Sequence, residues 1–147
     1  MKHEEYMRQA LELARLAMAE GEVPVGCVIV RDGAVVGRGR NRRETAQTAL
    51  GHAELEAIAQ ACRTLGGWRL AGCALYVTLE PCPMCAGAIV NARIPAVYYG
   101  AKDDKAGCCG SVLNLFEERF NHHPRIYGRV LEAECAALLQ EFFQSLR

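Results

Sequence analysis

His52, Glu54, Cys82 and Cys85 are the residues of this chain whose types and spacing fit a single piece of chemistry. One imidazole and two thiolates form a borderline-to-soft donor set, which suits zinc better than a hard cation. Cys82 and Cys85 stand three apart, so one helical turn can present both sulfurs to the same ion. His52 lies 30 residues earlier, so tertiary folding must close the site. Three protein ligands leave the fourth tetrahedral position of a zinc ion open to water, the mark of a catalytic rather than a structural centre. Glu54 is within reach of that water but is not needed as a ligand. A Cys-x-x-Cys pair alone is weak, because it also serves redox sites and zinc knuckles. A structural zinc would need a fourth ligand, which Cys73, Cys108, Cys109 or Cys135 could supply. Such a site has no use for Glu54, nor for a proline directly ahead of Cys82, and the constellation as a whole favours catalytic zinc.

The elements that carry these groups follow from the pattern on either side. Residues 52–65 read as a helix with Leu55, Ile58, Ala59 and Cys62 inward, which places His52 and Glu54 in its first turn. Gly66-Gly67 ends it, and Trp68 reads as a packing anchor. Residues 73–79 read as a strand broken by Glu80-Pro81. Pro83 fits the first turn of a third helix, where its missing N–H costs nothing, and that helix runs to about Asn91. Both helix N-termini would then converge on the ion, and their positive ends favour thiolate and hydroxide. The small residues Ala86, Gly87 and Ala88 allow another surface to approach, either the chain's own sheet or a second copy.

Upstream, residues 5–20 read as an amphipathic helix with Tyr6, Ala10, Leu13, Ala14, Ala17 and Met18 inward. The apolar run 23–30 suits a strand buried on both faces. Arg31-Asp32-Gly33 is a hairpin signal leading to a return strand over 34–39. Residues 41–51 form a polar loop leading to the metal. Downstream, the pattern predicts a strand over 95–100, a loop to Gly110, a helical turn over 111–116, an edge strand over 125–130 and a closing helix over 131–146. Asn121-His122-His123-Pro124 reads as exposed, without the neighbouring ligands of a second metal site. The alternation of helices and strands implies an α/β fold, a mixed sheet with helices on both faces.

The whole chain sets wider bounds. Its 147 residues fit one domain, 1–147, and the 51% hydrophobic and 23% charged composition excludes a disordered reading. No apolar run approaches the roughly 20 residues of a membrane span, and the acidic, amphipathic N-terminus is unlike a signal peptide. Eight cysteines scattered among apolar residues fit a reduced, cytoplasmic protein better than a disulfide scaffold. The formal net charge is zero, so no global field announces a nucleic-acid partner. Locally, Arg31, Arg38, Arg40, Arg42 and Arg43 cluster before the metal motif, and Lys102, Lys105, Arg119, Arg125 and Arg129 follow it. Such runs are usually a solvated face; gathered on one rim they would neutralise phosphates.

The H-x-E and P-C-x-x-C motifs are the signature of zinc-dependent nucleobase deaminases. The chain resembles the cytidine deaminase-like superfamily, and within it the bacterial tRNA-specific adenosine deaminases. The likeness is carried by residues 21–26 (Gly-Glu-Val-Pro-Val-Gly), by His52-Ala53-Glu54 and by residues 78–88 around Pro81-Cys82-Pro83-Met84-Cys85. Gly100-Ala101-Lys102-Asp103 and the segment 134–139 match as well. The resemblance implies a homodimer of three-layer α/β/α sandwiches, each with a mixed five-stranded sheet. It implies one Zn2+ per chain and conversion of adenosine to inosine at the wobble position of a tRNA anticodon loop. His52, Cys82 and Cys85 would bind the zinc and Glu54 would shuttle protons. Asn41 would hydrogen-bond the flipped nucleoside and Val25 and Ala53 would line the base pocket. Asp103, Asn121 and His122 would contact the substrate loop, and Phe142 and Phe143 would lie near the RNA. Ahead of the histidine the family usually carries Asp-Pro-Thr-Ala, where this chain has Ala49-Leu50-Gly51, and Cys108-Cys109 replaces a pair that is commonly small and unreactive. Two other functions fit the residues: deamination of a free base or nucleoside (guanine, cytosine or cytidine), and a zinc-stabilised RNA-binding module without catalysis.

Overall fold

The computed structural model describes residues 2–146. The Asp32-Gly33 turn sets the first pairing. Both residues have positive φ (51° and 78°), which a two-residue hairpin of matching twist requires and which Asp-Gly supplies cheaply. It joins β1 (Gly26–Arg31) to β2 (Ala34–Arg40), with Gly26 opposite Arg40 and a bulge at Ile29/Val30. β1 pairs antiparallel on its other side with β3 (Cys73–Leu79). β4 (Ala96–Ala101) and β5 (Arg125–Tyr127) add on in parallel, giving the order β2-β1-β3-β4-β5. The expected mixed five-stranded sheet is therefore present.

Helices cover both faces. α1 (Lys2–Ala19) and α4 (Glu132–Ser145) pack on one side, in a cluster that holds Met7, Leu11, Val28, Tyr76 and Leu138. α2 (Ala53–Leu65) and α3 (Pro83–Asn91) pack on the other, with Ile29, Leu75, Val77, Ile89 and Val97. The α2–β2 contact is unusually close. Gly37 and Gly39 face the buried Ala53, Ala57 and Ala61, and a Cβ on either glycine would run into α2 backbone. That approach fixes where the start of α2 lies.

Several expectations change in detail. α1 begins at Lys2 rather than Glu5, and its buried stripe is Met7, Ala10, Leu11, Ala14 and Ala17. Tyr6, Leu13 and Met18 lie at the margin of that stripe, partly buried. β1 starts at Gly26, not Val23, because Pro24 sits in a tight turn closed by the Val25 N–H on the Val23 carbonyl (2.9 Å). The helical turn after the 102–110 loop is a short 3-10 segment, Leu115–Glu117, with its Phe116 N–H capped by Asn114. β5 is three residues long, since Arg129 turns to positive φ (69°) just beyond it. Trp68 is no packing anchor: it is 52% exposed, with the Arg69 guanidinium 4.4 Å above its ring. No described helix is long and apolar enough to cross a membrane.

Candidate active site

His52 is the N-cap of α2 and Cys82 the N-cap of α3. Both have extended backbone, and neither side chain caps its own helix, so imidazole and thiol remain free to face each other. Pro83 follows Cys82 at the first helical position, and Cys85 comes round on the same turn. His52 Nδ1 lies 3.6 Å from Cys82 Sγ and 3.5 Å from Cys85 Sγ. Zinc with bonds of about 2.3 Å to sulfur and about 2.0–2.1 Å to nitrogen in a tetrahedron needs an N–S edge of roughly 3.5 Å. The donor set fits the ion in type and in spacing. Among the described residues these three form the one group of metal-capable side chains found, their ligand atoms all within 4.8 Å. Cys73, Cys108, Cys109 and Cys135 stay outside it, which leaves a structural fourth ligand without a candidate. His122 and His123 are engaged elsewhere, on the Ile94 and Phe116 carbonyls (2.7 and 2.8 Å).

The electrostatics match that use. Donation from Cys85, together with the His52 contact, holds the Cys82 thiol down at about 4 despite burial. That same donation and burial push Cys85 up, while the bond to Cys82 raises His52. Two helix N-termini meet here, and their partial positive charge further favours a thiolate. Glu54, in the first turn of α2, is 4% exposed. Burial pushes its carboxyl up to about 7, and the nearby Cys82 adds to the rise, the range in which a carboxyl both takes and gives protons at neutral pH.

A cavity of about 220 Å³ opens over these groups, lined among others by Val25, Asn41, Arg43, Ala53, Glu54 and Asp103. It is smaller than the roughly 300–1,000 Å³ of drug-sized pockets and suits a single ring system. Val25, Asn41, Ala53 and Asp103 thus come together around one cavity. Asn41 is locked in place: its amide donates to the Val23 carbonyl (3.2 Å) and its Oδ1 accepts the Arg43 N–H (3.2 Å). Asn121 and His122 are not brought to this cavity. Asn121 lines a separate groove of about 540 Å³ beside Met84, Gly87, Ala88 and Phe120. Phe142 is buried in the core and Phe143 is 48% exposed.

Two buried carboxylates, Glu22 and Glu80, are part of the site's construction and were not singled out from the sequence. Glu22, 1% exposed, accepts the Glu44 N–H and both the N–H and the hydroxyl of Thr45, pinning the 42–50 loop. Glu80 does the same for the loop after β4. The available signal was a lone acid at the margin of a buried apolar strand, where an unpaired charge is costly. Of the first basic cluster, Arg40 pairs with Glu20 (2.8 Å) and Arg42 with Glu56 (3.1 Å). Arg43 lines the cavity, and Lys102 and Lys105 are exposed on either side of Asp103.

Comparison with known proteins agrees with this geometry. The model of the MafB19-like deaminases matches residues 1–147. A tRNA-specific adenosine deaminase of Bacillus subtilis is 51% identical over 143 residues, 97% of this chain and 89% of that protein. A solved structure from a study of A-to-I editing by tRNA:A34 deaminases at the wobble position superposes with a TM-score of 0.87 at 45% identity. That match covers 91% of this chain and 98% of the other. A guanine deaminase of Bacillus subtilis gives 0.68 at 34% identity, covering 98% and 95%. A His-Cys-Cys cluster at two helix starts, a buried glutamate beside it and these matches along nearly the whole length place the chain in the MafB19-like deaminase family, among the tRNA-specific adenosine deaminases.

Proposed function

We propose that this protein hydrolyses adenosine to inosine at the wobble position of a tRNA anticodon loop, as a single catalytic domain with one zinc ion per chain. The observation that carries the reading is Glu54, buried with its carboxyl raised to about 7 and lining the same cavity as His52 and Cys82. His52, Cys82 and Cys85 would hold the zinc, which when bound supplies a water acidified to a pKa of about 7. Glu54 takes a proton from the attacking water and delivers it to the ring nitrogen beside the reacting carbon, making that carbon electrophilic. It then takes the proton of the hydroxyl formed at that carbon and passes it to the departing amine, which leaves as ammonia. Val25 and Ala53 give the base apolar walls, while Asn41, held by its two local bonds, presents its remaining polar capacity to the nucleoside. Asp103 faces the substrate from the opposite loop. The base must leave its stack to reach a cavity this small, which an anticodon loop permits cheaply. Arg43 and the exposed Lys102 and Lys105 would meet phosphates at the rim.

We further read the protein as a cytoplasmic homodimer. All eight cysteines are free thiols, which suits a reducing compartment. The groove along α3, lined by Met84, Gly87, Ala88 and the 48% exposed Phe120, offers an apolar face for a second copy, and it carries Asn121. A second reading, deamination of free guanine, is favoured by the likeness to a guanine deaminase. Incubating the zinc-loaded protein with total tRNA and an anticodon stem-loop, then sequencing for inosine while following ammonia from adenosine, guanine, cytosine and cytidine, separates them. Inosine confined to a wobble adenosine supports the first reading. Ammonia from guanine with untouched tRNA replaces it by the second. Silence in both, with one zinc per chain, leaves a non-catalytic RNA-binding module.

A further inference from the structure

The wall of the cavity that carries Asp103 and Ala106 belongs to no helix or strand. It is the loop of residues 102–111, and its backbone converges on one buried side chain, Glu80. Glu80 is 2% exposed, and among the described residues no lysine or arginine pairs with it. Its Oε1 accepts the Asp103 N–H (3.1 Å) and the Ser111 hydroxyl (2.5 Å). Its Oε2 accepts the Cys109 N–H (2.9 Å) and the Ser111 N–H (3.1 Å). A carboxylate offers about four acceptor positions, and all four are taken by the two ends of this one loop. None is left for a substrate. Burial pushes the Glu80 carboxyl up, yet the bonds from Ser111, Asp103 and Cys109 together outweigh it and hold the group below its ordinary value.

Among the described residues no other buried carboxylate accepts from this loop's backbone. Gly107 abuts the Glu80 carboxylate so closely that a Cβ there would collide with it. The Cys108 N–H donates to the Pro81 carbonyl (2.8 Å), one residue from Cys82. Asp103 in turn accepts the Lys105 and Ala106 N–H groups (3.0 and 3.2 Å), so its orientation and the place of Ala106 are set together. Glu80 thus stands between the segment that starts α3 and the loop that faces the cavity from the other side.

We propose that Glu80 is a positioning residue for the substrate: it clamps the 102–111 loop against the segment bearing Cys82, and so sets where Asp103 and Ala106 meet the nucleoside. The inference rests on reading the cavity as a nucleoside pocket. Its effect is on substrate binding, not on the metal and not on the proton transfers of Glu54.

The test compares Glu80→Gln and Ser111→Ala with the wild type in three readouts: zinc content, amide hydrogen exchange over 103–111, and kcat and KM on an anticodon stem-loop. Glu80→Gln turns one acceptor into a donor facing N–H groups. The expected result is one zinc per chain, faster exchange at Asp103, Cys109 and Ser111, and a KM raised about tenfold or more with a much smaller change in kcat. Ser111→Ala removes one of the four donors and should move the same readouts by less. Should Glu80→Gln not fold, Ser111→Ala carries the test by itself. Faster loop exchange with unchanged KM would make Glu80 a purely structural residue and overturn the proposal. So would unchanged exchange, loss of zinc, or a fall in kcat alone. A wild-type protein inert on the stem-loop but active on guanine would instead overturn the substrate reading, and the stem-loop role of Glu80 with it.

Discussion

At the residue scale, the site is a division of labour between two helix starts and three buried acids, Glu22, Glu54 and Glu80. His52 and Cys82 are available because, as N-caps, they bond to nothing in their own helices. Glu54 titrates near neutrality because it is desolvated, so replacing it should cost turnover and little else. Glu54→Gln is expected to lower kcat by about 10²–10⁴ while the protein keeps one zinc per chain by elemental analysis; retained turnover would remove Glu54 from the proton path. Arg42 and Arg43 looked equivalent as neighbours in a basic run, and the fold separates them. Arg42 is spent on Glu56, whereas Arg43 reaches the cavity. Arg43→Ala should weaken stem-loop binding and flatten the dependence of log K on log salt by about 0.7 for each lost phosphate contact. Arg42→Ala should change that slope less, and equal slopes would return Arg43 to the ordinary solvated surface.

At the element scale, the position of α2 decides where His52 and Glu54 sit, and glycines in β2 decide the position of α2. Because Gly39 lies against the backbone of Ala53 and Ala57, Gly39→Ala must push the helix away. Overpacking of this sort costs about 1–3 kcal/mol, roughly 2–4 °C of Tm per kcal/mol for a chain of this size, and thermal unfolding checks it. Activity should fall with it, since His52 and Glu54 move with the helix. The 42–50 loop depends on Glu22, whose burial pushes its carboxyl up but whose bonds from Thr45 and Glu44 outweigh that and hold it low. A carboxyl depressed in the folded state adds stability that is fully present above its ordinary pKa and is lost as the pH falls through the lowered value. The loop amides of Glu44 and Thr45 should therefore keep their protection at neutral pH and lose it on acidification. In Glu22→Gln they should be weakly protected at every pH; identical profiles in the two proteins would dismiss the clamp.

At the scale of the whole molecule, a neutral chain can still present a local basic rim. Three cations with no ion pair among the described residues, Arg43, Lys102 and Lys105, gather on the two loops that border the cavity, while Arg40, Arg42 and Arg129 are taken by Glu20, Glu56 and Glu132. The groove beside α3 is a second whole-molecule feature, and its floor of Gly87 and Ala88 leaves room for another helix to approach. Ala88→Arg should turn the proposed dimer into a monomer in sedimentation velocity without unfolding it. A wild-type chain that sediments as a monomer would remove the dimer.

Much of the site was legible in the sequence because its chemistry is local. A histidine two residues ahead of a glutamate and a Pro-Cys-x-x-Cys turn each define their own geometry within one helical turn, and the donor types alone suit a borderline-to-soft metal ion. The Asp-Gly hairpin, Pro83 at a helix start and Gly66 at a helix end were likewise short-range signals that needed no tertiary context. Tertiary structure decided what depends on long-range neighbours. It chose Met7 and Leu11 over Tyr6 and Leu13 for the core, left Trp68 outside, and turned Asn121 and His122 away from the cavity. It also drew Glu22 and Glu80 under the two loops, since only the closed fold brings backbone N–H groups from residues more than twenty positions away to a buried carboxylate. The sequence by itself singled out His52, Cys82 and Cys85 as a metal-capable set and Glu54 as the acid beside it, because bonding chemistry is written in residue type and short spacing. The walls around them were decided by packing, because burial and hydrogen-bond partners are properties of the folded chain.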